Sequence, residues 1–165
     1  YDDVKEDIKH KSADIIKEYL RLNQEDFNNI EFAEKDIQID LGDGILINGR
    51  VDLIKKKDIN GDIKTTIIDF KSAEDAQKYD VSMEQLSLYA IGYQELSGEK
   101  ADFLQVYNMD KNYPDTKEIQ ITDLDEMKRK IVLAADKIRH NDLPKTDQHK
   151  NCKDCRLVKV CSQAA

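Results

Sequence analysis

The feature that most constrains this chain is a run of β-branched residues ending in charge: Thr65-Thr66-Ile67-Ile68-Asp69-Phe70-Lys71. Such residues favour extended backbone, so residues 65–71 read as a strand. Side chains two apart in a strand share a face. Asp69 and Lys71 therefore project together, while Ile68 and Phe70 go to the other side. A preceding extended run, residues 45–54, contains Gly49-Arg50-Val51-Asp52, and Asn60-Gly61 between the two runs is a strong hairpin signal. Alternation places Asp52 on the side opposite Val51 and Leu53. A hairpin pairing these strands brings Asp52 near Asp69, so that two carboxylates and an ammonium converge on one patch.

The flanking segments supply a frame for that patch. Val4, Ile8, Ile15, Tyr19 and Leu22 have helical spacing, which predicts a helix over residues 1–23. It opens abruptly and without a cap, as expected for a piece of a longer protein. Residues 34–41 alternate polar and apolar as a strand does, and Gly42-Asp43-Gly44 is a tight turn. Downstream, a helix is expected over residues 82–96, stopping near Gly98. A fourth strand follows over residues 102–109 and a weaker fifth over 117–121. A long helix capped by Thr122 or Asp123 then runs to about His140. The order is helix, three antiparallel strands, helix, one or two strands, helix: an α/β domain with a mixed central sheet.

At 165 residues the chain suits one core. Residues 1–145 form the expected α/β domain, and residues 146–165 an irregular tail holding all three cysteines. No apolar run approaches the roughly 20 residues that span a bilayer, and no signal peptide opens the sequence. The plain expectation is a cytoplasmic protein without a membrane partner. A net charge of −8 argues against a protein that merely coats nucleic acid. It leaves room for metal-binding carboxylates, whose charge bound cations offset, and suggests that tight DNA binding needs a partner domain.

The acid pair with its lysine suits phosphodiester hydrolysis. Mg²⁺ takes oxygen ligands, often one or two carboxylates, and keeps positions for water and phosphate oxygens. A neighbouring lysine can orient the attacking water and offset charge building on phosphorus. The letters Asp-x-Lys alone mean little, since they occur five times, beginning at Asp3, Asp7, Asp62, Asp69 and Asp115. Only the Asp69 copy ends an apolar β-branched run and follows a strand ending in Gly-x-x-Asp; elsewhere strand-end charges facing solvent suffice. In the next helix Gln85 and Tyr89, four apart, share a face. The alternative for them is local: Ser82-x-x-Gln85 has capping-box spacing, and Tyr89 can be core.

Taken together, Gly-Arg-Val-Asp52, Ile-Asp69-Phe-Lys71 and Gln85-Leu-x-x-Tyr89 resemble, in order, the second, third and fourth motifs of the RecB-like branch of the PD-(D/E)XK nuclease superfamily. The motifs span residues 34–109. The resemblance implies a restriction-endonuclease-like α-β-β-β-α-β core and a Mg²⁺- or Mn²⁺-dependent DNA nuclease. It makes Asp52, Asp69 and the Phe70 carbonyl metal ligands and Lys71 the catalytic lysine, with Gln85 and Tyr89 shaping the site and contacting DNA. Cys152-x-x-Cys155 and Cys161 look like the C-terminal half of the iron–sulfur staple of some members. These include AddB-type helicase–nuclease subunits, some CRISPR-associated nucleases and nuclease domains fused to UvrD/Rep-type helicases. A 4Fe-4S cluster is held by four thiolates; three are present, so the fourth is expected upstream. Zinc with His149 as fourth ligand is an alternative, as are three free thiols.

The resemblance also implies a histidine on an N-terminal helix. His10 lies on the first helix without the expected glycine-led context, and a solvent-facing role competes. Glu34 is a further acidic candidate near the site. His140 sits at a helix C terminus, where a cation is favoured. Lys55-Lys56-Lys57 can meet a phosphate backbone, or simply be a solvated hairpin loop. The expected function is thus a metal-dependent DNA nuclease domain of a repair or recombination helicase. Alternatives are an inactive nuclease-fold module with a DNA-binding or structural role, and an interaction domain built on the cysteines.

Overall fold

A computed structural model describes residues 2–72, 78–142 and 156. The alternating stretches around Asp52 and Asp69 form neighbouring strands. Helix α1 (Asp2–Asn23) leads through a 3-10 helix (Gln24–Asn29) into β1 (Ile30–Asp40), β2 (Leu46–Ile59) and β3 (Asp62–Lys71), an antiparallel meander. Helix α2 (Tyr79–Ser97) carries the chain to β4 (Phe103–Asn108), which lies parallel to β3. A parallel neighbour requires such a crossover. Strand β5 (Tyr113–Glu118) returns antiparallel to β4, and α3 (Ile121–Arg139) follows. The five strands stand in sequence order, which is the expected mixed sheet with the α-β-β-β-α-β core. Residues Tyr1–Lys130 form one compact unit and Ile131–Ala165 another; sheet, α1 and α2 belong to the first.

Several local expectations give way. Lys55, Lys56 and Lys57 are not loop residues: β2 runs on to Ile59, and the hairpin turn is Asn60-Gly61 itself, both with positive φ. The lysines tolerate the strand because carboxylates meet them, Asp26 beside Lys55 and Lys57, Glu31 and Glu99 beside Lys56. Helix α2 begins at Tyr79, with Lys78 in the cap position, so Ser82 is a buried residue of the helix and not the start of a capping box. The fifth strand lies over Tyr113–Glu118 rather than 117–121, and every residue of it is exposed, which removes the alternation that marks a strand. Thr122 and Asp123 fall inside the first turn of α3.

Apolar residues divide between the two faces of the sheet. Ile37, Val51, Ile54, Ile67 and Leu104 pack with Leu86, Ala90 and Tyr93 of α2. Leu53, Ile68 and Tyr107 pack with Tyr19 of α1 on the other face. Val51 and Leu53 thus lie on opposite faces, contrary to simple alternation, and the break falls at Asp52. Glu34, between the β1–β2 pairs Ala33–Leu53 and Lys35–Val51, has φ 50°, a left-handed conformation uncommon for a residue with a side chain. Both strands therefore turn at this level. Helix α2 sits close on the sheet: a methyl group at Gly92 would lie 2.5 Å from Ile37 Cδ1.

Candidate active site

The backbone pairing of β2 with β3 runs from Ile59–Asp62 to Leu53–Ile68 and stops there. One residue further, the side chain of Asp52 takes over: its Oδ2 accepts a hydrogen bond from the Phe70 amide at 2.8 Å. Beyond this point β3 stays paired with β4 through Lys71–Asn108, and the Met109 amide donates to the Lys71 carbonyl at 2.8 Å. The Asp69-Phe70-Lys71 segment is therefore fixed on one side by a strand and on the other by a carboxylate.

Behind it lies an aromatic cluster. Tyr19 meets the Phe70 ring edge-on at 5.4 Å and Tyr107 at 5.0 Å, and Phe70 lies 5.8 Å from Tyr107. These are the favoured T-shaped arrangements. Asn23 Nδ2 donates to the Tyr107 hydroxyl at 3.1 Å, tying the end of α1 to β4.

On the α2 face, Asp69 is 3% exposed and its Oδ2 lies 2.7 Å from the Lys71 ammonium. That oxygen nonetheless accepts no hydrogen bond of good geometry, so the pair is held by charge proximity. Burial raises the proton affinity of Asp69; Lys71 opposes this, Asp52 adds to it, and the net shift is upward. Two neighbouring carboxylates with one ammonium leave a negative excess that a cation would offset. Lys71 Nζ also donates to Gln85 Oε1 at 3.4 Å, and Gln85 Nε2 donates to the Tyr89 hydroxyl at 2.7 Å. The Tyr89 ring approaches β2 at Gly49, where a methyl group would lie 3.0 Å from Cε1.

The structure thus brings Asp52, Asp69, Lys71, Gln85 and Tyr89 to one end of the sheet. The two carboxylates could hold a divalent ion, with the Phe70 carbonyl as the expected third protein oxygen. Among the described residues no three His, Cys, Asp or Glu side chains gather as a metal-binding group, so neither His10 nor Glu34 joins the acid pair. His10 is exposed on α1, 3.9 Å from Glu6. His140 follows α3, with Nδ1 2.8 Å from the Asp136 carbonyl. Cys152, Cys155, Cys161 and His149 lie outside the described residues. Sequence reasoning missed the supporting roles of Gly49, Tyr19 and Tyr107. A glycine in the interior of a strand was the available signal for the first; the aromatic pair carried none.

A mixed five-stranded sheet flanked by helices, with an aspartate and an Asp-x-Lys on adjoining strands, defines the restriction-endonuclease-like class of fold. The chain belongs to the PD-(D/E)XK nuclease superfamily, which it matches over residues 2–162. Twelve chains among solved structures match. One is the crystal structure of SSO0001, with TM-score 0.50 and 18% identity over 93% of this chain and 69% of that one, a likeness of fold. No curated protein matches. No described helix is long and apolar enough to cross a membrane.

Proposed function

We propose that this chain is a Mg²⁺- or Mn²⁺-dependent deoxyribonuclease domain of the RecB-like branch. The observation that carries the reading is the buried Asp69 carboxylate, set beside the Asp52 carboxylate and the Lys71 ammonium. Asp52, Asp69 and the Phe70 carbonyl hold the ion. When bound, it polarises the scissile phosphate, lowers the pKa of attacking water and stabilises the leaving oxygen. The Lys71 ammonium hydrogen-bonds to the attacking water and the phosphoryl oxygens, where negative charge grows. Gln85 orients Lys71, and Tyr89 orients Gln85. Uncatalysed cleavage is slow enough that these effects together must remove a barrier of the order of 20 kcal/mol.

Residues 1–145 are the nuclease core and 146–165 a tail whose three cysteines supply part of a 4Fe-4S staple. The domain works with a helicase in DNA repair or recombination.

The test pairs Mn²⁺ binding with cleavage of single- and double-stranded DNA. Wild type binds Mn²⁺ and nicks DNA only with the ion; Asp69→Ala loses both, and Lys71→Ala binds the ion but does not cleave. Equal Mn²⁺ binding by wild type and Asp69→Ala would overturn the metal site. Binding without cleavage under any condition favours a nuclease-fold module that acts on DNA without cutting it.

A further inference from the structure

On the α1 face of the sheet, away from the acid pair, is a cavity of about 230 Å³. Its polar walls include Asn23, Asp26, Lys55, Lys57 and Thr66, with Tyr107 as an aromatic wall. Lys55 lies three residues from Asp52 along β2, about 10 Å at the rise of a strand, and opens to the opposite face. We propose that this cavity is an anion site for a phosphate monoester, with the largely covered Lys55 as its anchor and Lys57 at its rim.

Charge is the first argument. Lys55 and Lys57 both converge on Asp26, at 3.6 and 3.0 Å, so two ammonium groups share one carboxylate. The Asn29 amide donates to the same carboxylate at 3.3 Å, drawing further on its capacity. A net positive charge thus lines this cavity in a protein whose overall charge is −8.

Burial is the second. The Lys55 side chain is 11% exposed. Desolvation lowers its proton affinity, and the opposing pull of Asp26 does not restore it. Asp26 stays ionised: burial raises its proton affinity, but Lys57 and Lys55 more than reverse this. The Lys55 ammonium is therefore undercompensated, and a second anion supplies what Asp26 cannot.

Size and shape are the third. Liquid water occupies about 30 Å³ per molecule, so the cavity holds several waters or one phosphate group. Lysines bind phosphate as point charges from more than one direction, which suits ammonium groups rising from one strand two residues apart. The phosphate can be free or the terminal group of a nucleotide.

This site does not depend on the nuclease reading, and its test uses metal-free protein. Calorimetric titration with inorganic phosphate and with dTMP is expected to show binding. Lys55→Met weakens it by about tenfold or more, which is about 1.4 kcal/mol, whereas Lys55→Arg retains it. Lys71→Ala, on the other face, leaves it unchanged. Tighter binding of dTMP identifies a nucleotide as the source, and equal binding identifies free phosphate. Absence of binding at tens of millimolar, equal affinity of Lys55→Met and wild type, or loss in Lys71→Ala would each overturn the proposal. If Lys55→Met does not melt cooperatively, Lys57→Met decides: weaker binding supports the site, and wild-type binding overturns it.

Discussion

The carboxylate of Asp52 accepts the Phe70 amide proton at 2.8 Å, at the level where the backbones of β2 and β3 have ceased to pair. One side chain is thus both a strand clamp and a proposed metal ligand. Its two roles are separable by substitution.

Asp52→Asn keeps an acceptor for the Phe70 amide but removes the charge. It is expected to fold with nearly wild-type stability, to lose Mn²⁺ affinity and to be inactive. Asp52→Ala strands the amide as well, at a further cost of about 1–3 kcal/mol. Urea denaturation of the two variants checks the difference; equal stability would show that the clamp contributes nothing.

Proton competition at Asp69 gives a pH signature. Burial, reinforced by Asp52 and opposed by Lys71, holds this carboxyl above its ordinary range. Metal must displace the proton, so Mn²⁺ affinity is lost as pH is lowered, with a midpoint above the ordinary aspartate value of about 3.9. The stability effect has the opposite sense to that of an ordinary ion-paired carboxylate. As pH rises from the unfolded to the folded pKa, the unfolded chain releases its proton first, and metal-free protein loses stability. Melting curves without metal are expected to show this loss in wild type and its absence in Asp69→Asn.

The lysine is oriented by a relay, Gly49 against Tyr89, Tyr89 to Gln85, Gln85 to Lys71. Tyr89→Phe removes one neutral hydrogen bond, worth about 0.5–1.5 kcal/mol, or roughly a two- to twelvefold drop in kcat. Gln85→Ala is expected to cost more, and Gly49→Val most, because its branched side chain displaces the ring. Single-turnover cleavage with Mn²⁺ binding measured in parallel is the check: kcat falls while ion affinity holds.

Tyr19 supports the Asp69-Phe70-Lys71 segment from behind. Tyr19→Ala removes a buried ring from the Phe70–Tyr107 cluster, and losses for large aromatic truncations run to about 3–5 kcal/mol. Tyr19→Phe keeps both edge-on contacts and is expected to stay within about 1 kcal/mol of wild type. Chemical denaturation distinguishes the two, and similar losses in both would shift the role from ring to hydroxyl.

The sequence was most legible where a single periodicity ruled. Asp69 and Lys71 share a face with Ile67, as alternation in β3 requires, and Gln85 and Tyr89 lie together as residues four apart do on a helix. Asp52 was found for an incomplete reason: alternation fails at that residue, because its side chain replaces a backbone contact no pattern records. The lysines of β2 looked like a loop since their carboxylate partners are distant in sequence, from Asp26 to Glu99. Strand β5 was misplaced because it pairs through its backbone while exposing every side chain. The aromatic support of Phe70 joins α1, β3 and β4, and nothing local announces it.

Gly92 acts as the thinnest available shim between α2 and β1. With no side chain there, the helix settles onto Ile37, and that seating height carries along the rigid helix to Tyr89 and Gln85, about one and two turns earlier. The reach of the Lys71 support is therefore set by the volume of a residue that lies outside the candidate site. Enlarging position 92 would lift both side chains from the sheet together, altering the geometry of the candidate site while every residue of it kept its identity.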